Sequence, residues 1–224
     1  LKAYELGGVD YIEKAAPREE FYYRVRSHLL TIKREQALQE YAFIDGLTGI
    51  ANRRNFDEKF IQSWKRCIRT DSQLTVMIVD TDDFSLYNNE YGHLKGDETL
   101  RKIAQVLSKM GHRSDDLVAR LGGEEFVLLL PECSDVGANY IAQCIVENVE
   151  QLGIPHKQSK TSKFATVSVG VATMRPDLEQ APHEILQAAD EALYEAKNNG
   201  KNQYQVKLIG ISKPEEVNPK ENAH

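Results

Sequence analysis

The chain reads as an α+β protein built on one mainly antiparallel sheet flanked by helices and preceded by a long stalk helix. Three observations carry that expectation. After residue 70 the pattern runs strand, helix, hairpin, helix, strand, helix, strand, an order that suits helices packed on a single sheet. Leu74–Val79 is an apolar run rich in β-branched residues, as a strand covered on both faces requires. Hydrophobic residues make up 41% of the 224 positions, enough for a core of that kind.

Taken in order, residues 1–16 suggest a helix end, a glycine turn at Gly7-Gly8 and a strand near Val9–Ile12. Pro17 is placed to open a helix. From Arg18 to about Ile44 there is neither Gly nor Pro, and Tyr22, Val25, Leu29 and Ile32 recur at three, four and three. That spacing predicts a stalk helix over 18–44 with a coiled-coil-like stripe, suited to a second copy of the chain. Asp45-Gly46 breaks it, and 45–209 reads as the main domain. Asn52 to about Thr70 is expected to be helical, with Phe56, Phe60, Ile61 and Trp64 on one face. Leu74–Val79 follows as a strand, then loop and helix over Asn88–Met110, buried through Leu100, Ile103, Ala104 and Leu107. Leu117–Leu121 and Phe126–Leu130 flank a turn at Gly122-Gly123-Glu124-Glu125 and predict a hairpin. A helix at Asp135–Leu152, a strand at Phe164–Thr173, a helix at Pro182–Asn198 stopped by Gly200, and a strand at Tyr204–Ile209 complete the domain. Residues 210–224 are polar, carry two prolines and read as a flexible tail.

Composition narrows the function. A formal charge of -6 argues against general nucleic-acid binding, which needs clustered Lys and Arg to neutralise phosphates. No run of 18 apolar residues suggests a membrane span, and no signal peptide is visible at Leu1. Cys67, Cys133 and Cys144 show neither CxxC nor zinc-ligand spacing. Unpaired cysteines of this kind fit a reducing compartment, so a cytoplasmic protein is expected.

Two acidic segments carry the chemistry. Asp80 ends the buried strand, and Glu124 and Glu125 lie at the hairpin tip. If those strands are neighbours, three carboxylates converge on a set of oxygen ligands that suits Mg²⁺ shared with substrate phosphates. Such a site would lower the pKa of an attacking hydroxyl and stabilise a leaving pyrophosphate. The paired glycines would let the turn tighten and a base or phosphate approach. Read alone, the same four residues are better explained as a plain hairpin with solvated acids, since Gly-rich turns with acids are common.

The wider arrangement separates those readings. Gly122-Gly123-Glu124-Glu125-Phe126 resembles the signature loop of the GGDEF family of diguanylate cyclases, in its GGEEF form. Asp45-Gly-Leu-Thr-Gly-Ile-Ala-Asn-Arg-Arg54 resembles that family's opening D-x-L-T segment. Asp80-Thr-Asp-Asp-Phe84 with Asn88, Gly92-His93 and Gly96-Asp97 is similar to its D-x-D-x-F…N…G-H-x-x-G-D stretch. Val167-Ser-Val-Gly-Val171 and Ala192-Leu-Tyr-Glu-Ala-Lys197 with Gly200-Lys-Asn202 match its last two motifs. Five ordered motifs over about residues 42–208 are far more specific than any one of them.

The resemblance implies condensation of two GTP into cyclic di-GMP and two pyrophosphates by a homodimer. It implies Mg²⁺, with Mn²⁺ as a substitute, held by Asp80, the Thr81 carbonyl, Glu124 and Glu125. One of those glutamates would help deprotonate the ribose 3′-hydroxyl, the division of labour staying open. Asn88 and Asp97 would read the guanine edge, with His93 beside them, while Lys197, Lys201 and the Phe84 backbone meet the phosphates. Arg113-Ser-Asp-Asp116 resembles the family's R-x-x-D inhibitory site for the product, with Arg120 on the same approach. Ser85 stands where the family usually has Lys, Asn89 where it has Asp, and Lys201 where it has Arg. The first of these departures leaves open a weakly active domain that senses GTP or cyclic di-GMP. Gly7-Gly8-Val-Asp-Tyr-Ile-Glu-Lys14 is similar to the end of a response-regulator receiver domain, giving 1–17 as a receiver stub and a histidine kinase as upstream partner.

Overall fold

A computed structural model describes residues 10, 12 and 16–210, with backbone alone for 33–41. The glycine turn at Gly7-Gly8, the receiver-like Lys14 and the tail from residue 211 lie outside the described residues. The chain divides into two compact units between Phe43 and Ile44.

The first unit is built on helix α1 (Arg18–Tyr41), which ends three residues before the expected Ile44. Glu19 and Glu20 occupy its first turn, where the helix dipole favours negative charge. Tyr22, Val25, Leu29 and Ile32 are all exposed, as are Phe21, Tyr23 and Leu30. The apolar surface therefore spreads beyond the single stripe that the spacing suggests. Arg24 donates to both Asp10 and Glu20, at 3.0 and 2.9 Å.

The second unit is a six-stranded sheet with helices on both faces. Its elements are β1 (Ala51–Asn52), α2 (Arg53–Thr70), β2 (Leu74–Thr81), α3 (Phe84–Tyr91), α4 (His93–Ser108), β3 (Leu117–Gly122), β4 (Glu125–Pro131), α5 (Asp135–Glu150), β5 (Val167–Met174), α6 (Pro182–Asn198) and β6 (Tyr204–Ile209). The strand order is β1-β3-β4-β2-β5-β6. The four central strands pair antiparallel, while β1 on β3 and β6 on β5 are parallel. The expected mainly antiparallel sheet is thus mixed at its edges. Parallel pairing of β5 and β6 follows from the α6 crossover between them, which a tight turn could not provide.

Every residue of β2 is buried, which explains its unbroken apolar run. Met77 and Val79 face a core shared with α3, α4 and α5, while Leu74, Val76 and Ile78 face α2 and α6. The two-residue period of a strand deals side chains alternately to the two layers. On α2, Phe56, Phe60, Trp64 and Cys67 are buried, but Ile61 points outward at 42% exposure. The correction follows from helical geometry: Phe60 and Trp64 are four apart, and Ile61 is turned 100° from Phe60. Burying each aromatic contributes about 1.5–3 kcal/mol. Asn52 caps α2 by accepting from the Asn55 N–H at 3.1 Å.

Two elements escape the pattern. The two residues of β1 are too few to show a period. Helix α3 occupies Phe84–Tyr91, the first half of which precedes the loop and helix expected from Asn88, and Gly92 at φ 83° separates it from α4.

Helix α6 lies unusually close to β5. A Cβ on Gly170 would sit 2.1 Å from the Ala189 carbonyl oxygen and 2.3 Å from the Leu193 amide nitrogen. Backbone cannot yield as a side chain can. Gly170→Ala is expected to cost about 1–3 kcal/mol or more, read as a lower urea midpoint with the slope unchanged.

Candidate active site

The acidic residues meet through strand register. Asp80 lies opposite Glu125 of β4 on one side and Ser168 of β5 on the other. The N–H and hydroxyl of Thr81 both approach the Glu124 carbonyl as donors, at 3.3 and 3.4 Å. Asp80, Thr81, Glu124 and Glu125 therefore share the end of β2.

The hairpin turn is held by its backbone angles. Gly122 has φ 151° and Gly123 φ 52°, values that disfavour any side chain. A Cβ at either position would meet nothing within 4 Å, so the geometry of the turn, rather than crowding within the fold, demands glycine. Arg120 fastens the tip: its Nη2 and Nε donate to the Gly123 carbonyl at 2.7 and 3.0 Å, and its Nη1 donates to Asp45 at 3.1 Å. This occupation differs from the product-facing one expected of Arg120. Burial pushes the Asp45 carboxyl up, but hydrogen bonds from Thr48 and then Arg120 outweigh it, leaving the group below its ordinary range.

Asp80 is 7% exposed, and its Oδ2 lies 2.9 Å from Lys197 Nζ. Burial pushes its carboxyl up to about 6; Lys197 opposes this, and repulsion from Glu124 and Glu125 adds to it. Among the described residues no group of three His, Cys, Asp or Glu side chains is placed to hold a metal ion by itself. Glu125 is exposed and Glu124 half-buried, so the set is open rather than enclosed. Oxygen donors with open positions fit Mg²⁺, which keeps waters and substrate phosphates among its ligands.

Of the other aspartates, Asp82 is turned inward. Its carboxylate accepts from the Thr166 hydroxyl (2.8 Å), the Ser168 hydroxyl (2.7 Å) and the Asn202 N–H (3.0 Å). Asp83 takes left-handed φ 54° and accepts from Lys201 Nζ at 2.5 Å. Both lysines expected at the phosphates thus pair with carboxylates. The lysine side chains are 34% and 31% exposed but their carboxylates only 10% and 11%, so releasing either lysine without another cation in its place would leave a largely buried charge unpaired.

Around α3, Phe84 is buried and stacks on Tyr87 at 6.1 Å. The Asn88 Oδ1 is buried without a hydrogen-bond partner. A Cβ on Gly96 would come within 1.9 Å of that oxygen, so the glycine keeps space for the amide. Asp97 is half-buried just past the first turn of α4, and His93 is exposed at its start. Arg113 and Asp116 close a turn on each other: the Arg113 N–H donates to the Asp116 carboxylate at 2.9 Å, and the Asp116 N–H to the Arg113 carbonyl at 3.1 Å. The Arg113 guanidinium donates to the Glu132 carbonyl at 3.0 Å. Both residues line a cavity of about 230 Å³ with His112, Cys133 and Tyr140. A larger recess of about 490 Å³ lies along residues 155–163.

Sequence reasoning passed over Glu150, His156 and Asn202. Glu150 accepts from the Ser162 hydroxyl at 2.6 Å and the Asn202 amide at 2.9 Å. His156 reaches the Asp83 carbonyl at 3.2 Å. Only Asn202 lay inside a recognisable motif, and no local pattern marks the other two.

The Asp80 shift has a sign that can be tested in the metal-free protein. A carboxyl whose folded pKa is raised contributes stability below its ordinary range and loses it as pH rises through about 6. In EDTA, Asp80→Asn is expected to raise the Tm at pH 7.5 and to give no such gain at pH 4. Thermal melts at the two pH values read the difference directly.

The family model for the diguanylate cyclase GGDEF domain matches residues 42–203. The chain is 35% identical over 167 residues to the bifunctional diguanylate cyclase/cyclic di-GMP phosphodiesterase MucR of Pseudomonas aeruginosa, covering 75% of this chain and 24% of that protein. It is 38% identical over 168 residues to the diguanylate cyclase DgcM of Escherichia coli K12, covering 75% and 39%. The crystal structure of the coiled coil and GGDEF domain of DgcB from Caulobacter crescentus, in complex with c-di-GMP, superposes with a TM-score of 0.65 at 28% identity, covering 86% of this chain and 95% of that one. The chain thus spans about a quarter to two fifths of these curated relatives. With the motifs in order, the sheet that joins them and a model match over most of its length, it belongs to the diguanylate cyclase GGDEF family.

Proposed function

We propose that this GGDEF domain is a diguanylate cyclase that joins two GTP into cyclic di-GMP with release of two pyrophosphates. The observation that carries the reading is the register of Asp80 opposite Glu125, which puts both acidic motifs at one end of the sheet. In this reading Asp80, the Thr81 carbonyl, Glu124 and Glu125 hold Mg²⁺, or Mn²⁺ in its place. The bound metal supplies charge neutralisation at the phosphates and a lower pKa for the attacking hydroxyl. One of the two glutamates would accept the ribose 3′ proton. Asn88 and Asp97 accept from or donate to the guanine edge; a carboxylate suits guanine N1–H and N2–H, which adenine does not offer. The buried, unpartnered Asn88 Oδ1 supports that role. Lys197 and Lys201 would exchange Asp80 and Asp83 for the triphosphate.

One domain holds one GTP, so each 3′-hydroxyl attacks the α-phosphate held by a second copy. Rate then depends on how the two copies are held. The exposed apolar side chains of α1 supply a surface for that pairing, and DgcB offers a coiled coil in the corresponding protein. Product binding at Arg113 and Asp116 is supported by their shared cavity and by the aromatic Tyr140 on its wall. The reducing cytoplasm and an upstream histidine kinase complete the proposal.

A second reading, a guanine-nucleotide sensor of low activity, is favoured by Ser85, which leaves the first turn of α3 without the family's usual lysine. Purified protein incubated with GTP and Mg²⁺ separates the two: cyclic di-GMP is expected, and nucleotide binding without product selects the sensor. Glu125→Ala is expected to abolish turnover, measured as pyrophosphate release at saturating GTP. Arg113→Ala is expected to raise the inhibition constant for cyclic di-GMP at least tenfold, since a charged, bidentate partner is lost.

A further inference from the structure

The segment joining α5 to β5 reaches α3 and is closed by its own backbone. The His156 N–H donates to the Lys163 carbonyl at 2.9 Å, and the Ala165 N–H to the Ile154 carbonyl at 2.8 Å. It is stitched to α3 by the Lys157 N–H on the Tyr91 hydroxyl at 3.1 Å. Its far end is held by Ser162 on Glu150, the same carboxylate that holds Asn202. His156 is therefore presented by a braced loop.

The imidazole is 2% exposed and stands edge-on to the Tyr87 ring at 5.3 Å. Its Nε2 lies 3.2 Å from the Asp83 carbonyl oxygen, while Nδ1 is buried without a partner. A carbonyl only accepts, so Nε2 carries the hydrogen. That carbonyl also takes the Tyr87 N–H at 3.0 Å, at the start of α3. In a planar trans peptide the following N–H points opposite to the carbonyl. Holding the Asp83 carbonyl from outside the helix therefore fixes the direction of the Phe84 N–H, a donor with no partner inside α3. The same peptide belongs to the left-handed Asp83, whose carboxylate holds Lys201.

We infer that His156 is a positioning residue for the phosphate end of the nucleotide site, acting through the Asp83–Phe84 peptide. The inference rests on the GTP reading given above. Fixing a donor before the ligand arrives removes an ordering cost from binding. The effect belongs in nucleotide affinity and in KM more than in kcat.

Two variants separate positioning from packing. His156→Phe keeps an aromatic ring against Tyr87 and removes the donor; His156→Gln keeps an N–H donor at the Nε2 position and removes the ring. The probe is the GTP analogue with a methylene bridge between the α and β phosphates, titrated calorimetrically with Mg²⁺. KM and kcat for cyclic di-GMP formation and the Tm are measured alongside. For the Phe variant, affinity is expected to fall roughly five- to tenfold, as for one lost hydrogen bond, with a matching rise in KM. The Gln variant is expected within about twofold of wild type. Equal affinity in the Phe variant and wild type, or a Gln variant no tighter than the Phe variant, overturns the role of His156. Wild-type protein that binds the analogue but forms no cyclic di-GMP overturns the cyclase activity instead and leaves the affinity comparison standing. Wild-type protein that binds no analogue overturns both.

Discussion

The end of the sheet that carries the acidic motifs is organised around the buried carboxylate of Asp82. Three donors from two other parts of the chain converge on it: two hydroxyls of the β5 strand and its approach, and the backbone of the Lys201–Asn202 turn. A buried charge is costly unless its lone pairs are met, and here they are. The same bonds that satisfy Asp82 dock the C-terminal turn against the β2–α3 loop. Without that docking, Lys201 would have no fixed relation to Asp83, and neither would Asn202 to Glu150.

Around this hydrogen-bonded group the site keeps its other charges in partial balance. Asp80 and Asp83 each have one lysine, and Arg120 divides itself between Asp45 and the tip of the hairpin. The glutamates of the turn are left nearer to solvent. The inner acids are therefore paired or hydrogen-bonded within the fold, while the outer ones lie toward solvent. Two roles that look alike in the sequence, Asp80 and Asp82 of one D-x-D, are divided by the end of the strand. Asp80 lies within β2, whereas Asp82 lies just past its last residue, Thr81, and turns its carboxylate to the Thr166 and Ser168 hydroxyls.

Much of this was legible before any coordinates. The β2 run, the hairpin and the buried faces of α4 and α2 follow from periodicity, with Ile61 the exception because a helix turns it away from Phe60. The ordered motifs singled out Asp80, Glu124 and Glu125, which strand register brings to one end of the sheet. What stayed hidden has physical reasons. Strand β1 is two residues long and exists through its pairing with β3. Helix α3 begins at the end of an acidic turn whose residues do not favour helix, and its start is set by contacts from residues 156 and 201. The occupation of Arg120 depends on Asp45, 75 positions away. Contacts between residues that far apart leave no local signal.

The close seating of α6 on β5 has a further consequence. Where two layers meet through side chains, their spacing varies with the volumes chosen for the core. At Gly170 the layers meet backbone to backbone, so that spacing has a fixed zero point. Lys197 projects from the last turn of the same helix and must meet a carboxylate at the end of β2, the strand beside β5. Its reach is measured from that zero point. The core around it can change composition over evolutionary time while the ammonium group keeps its height above the sheet.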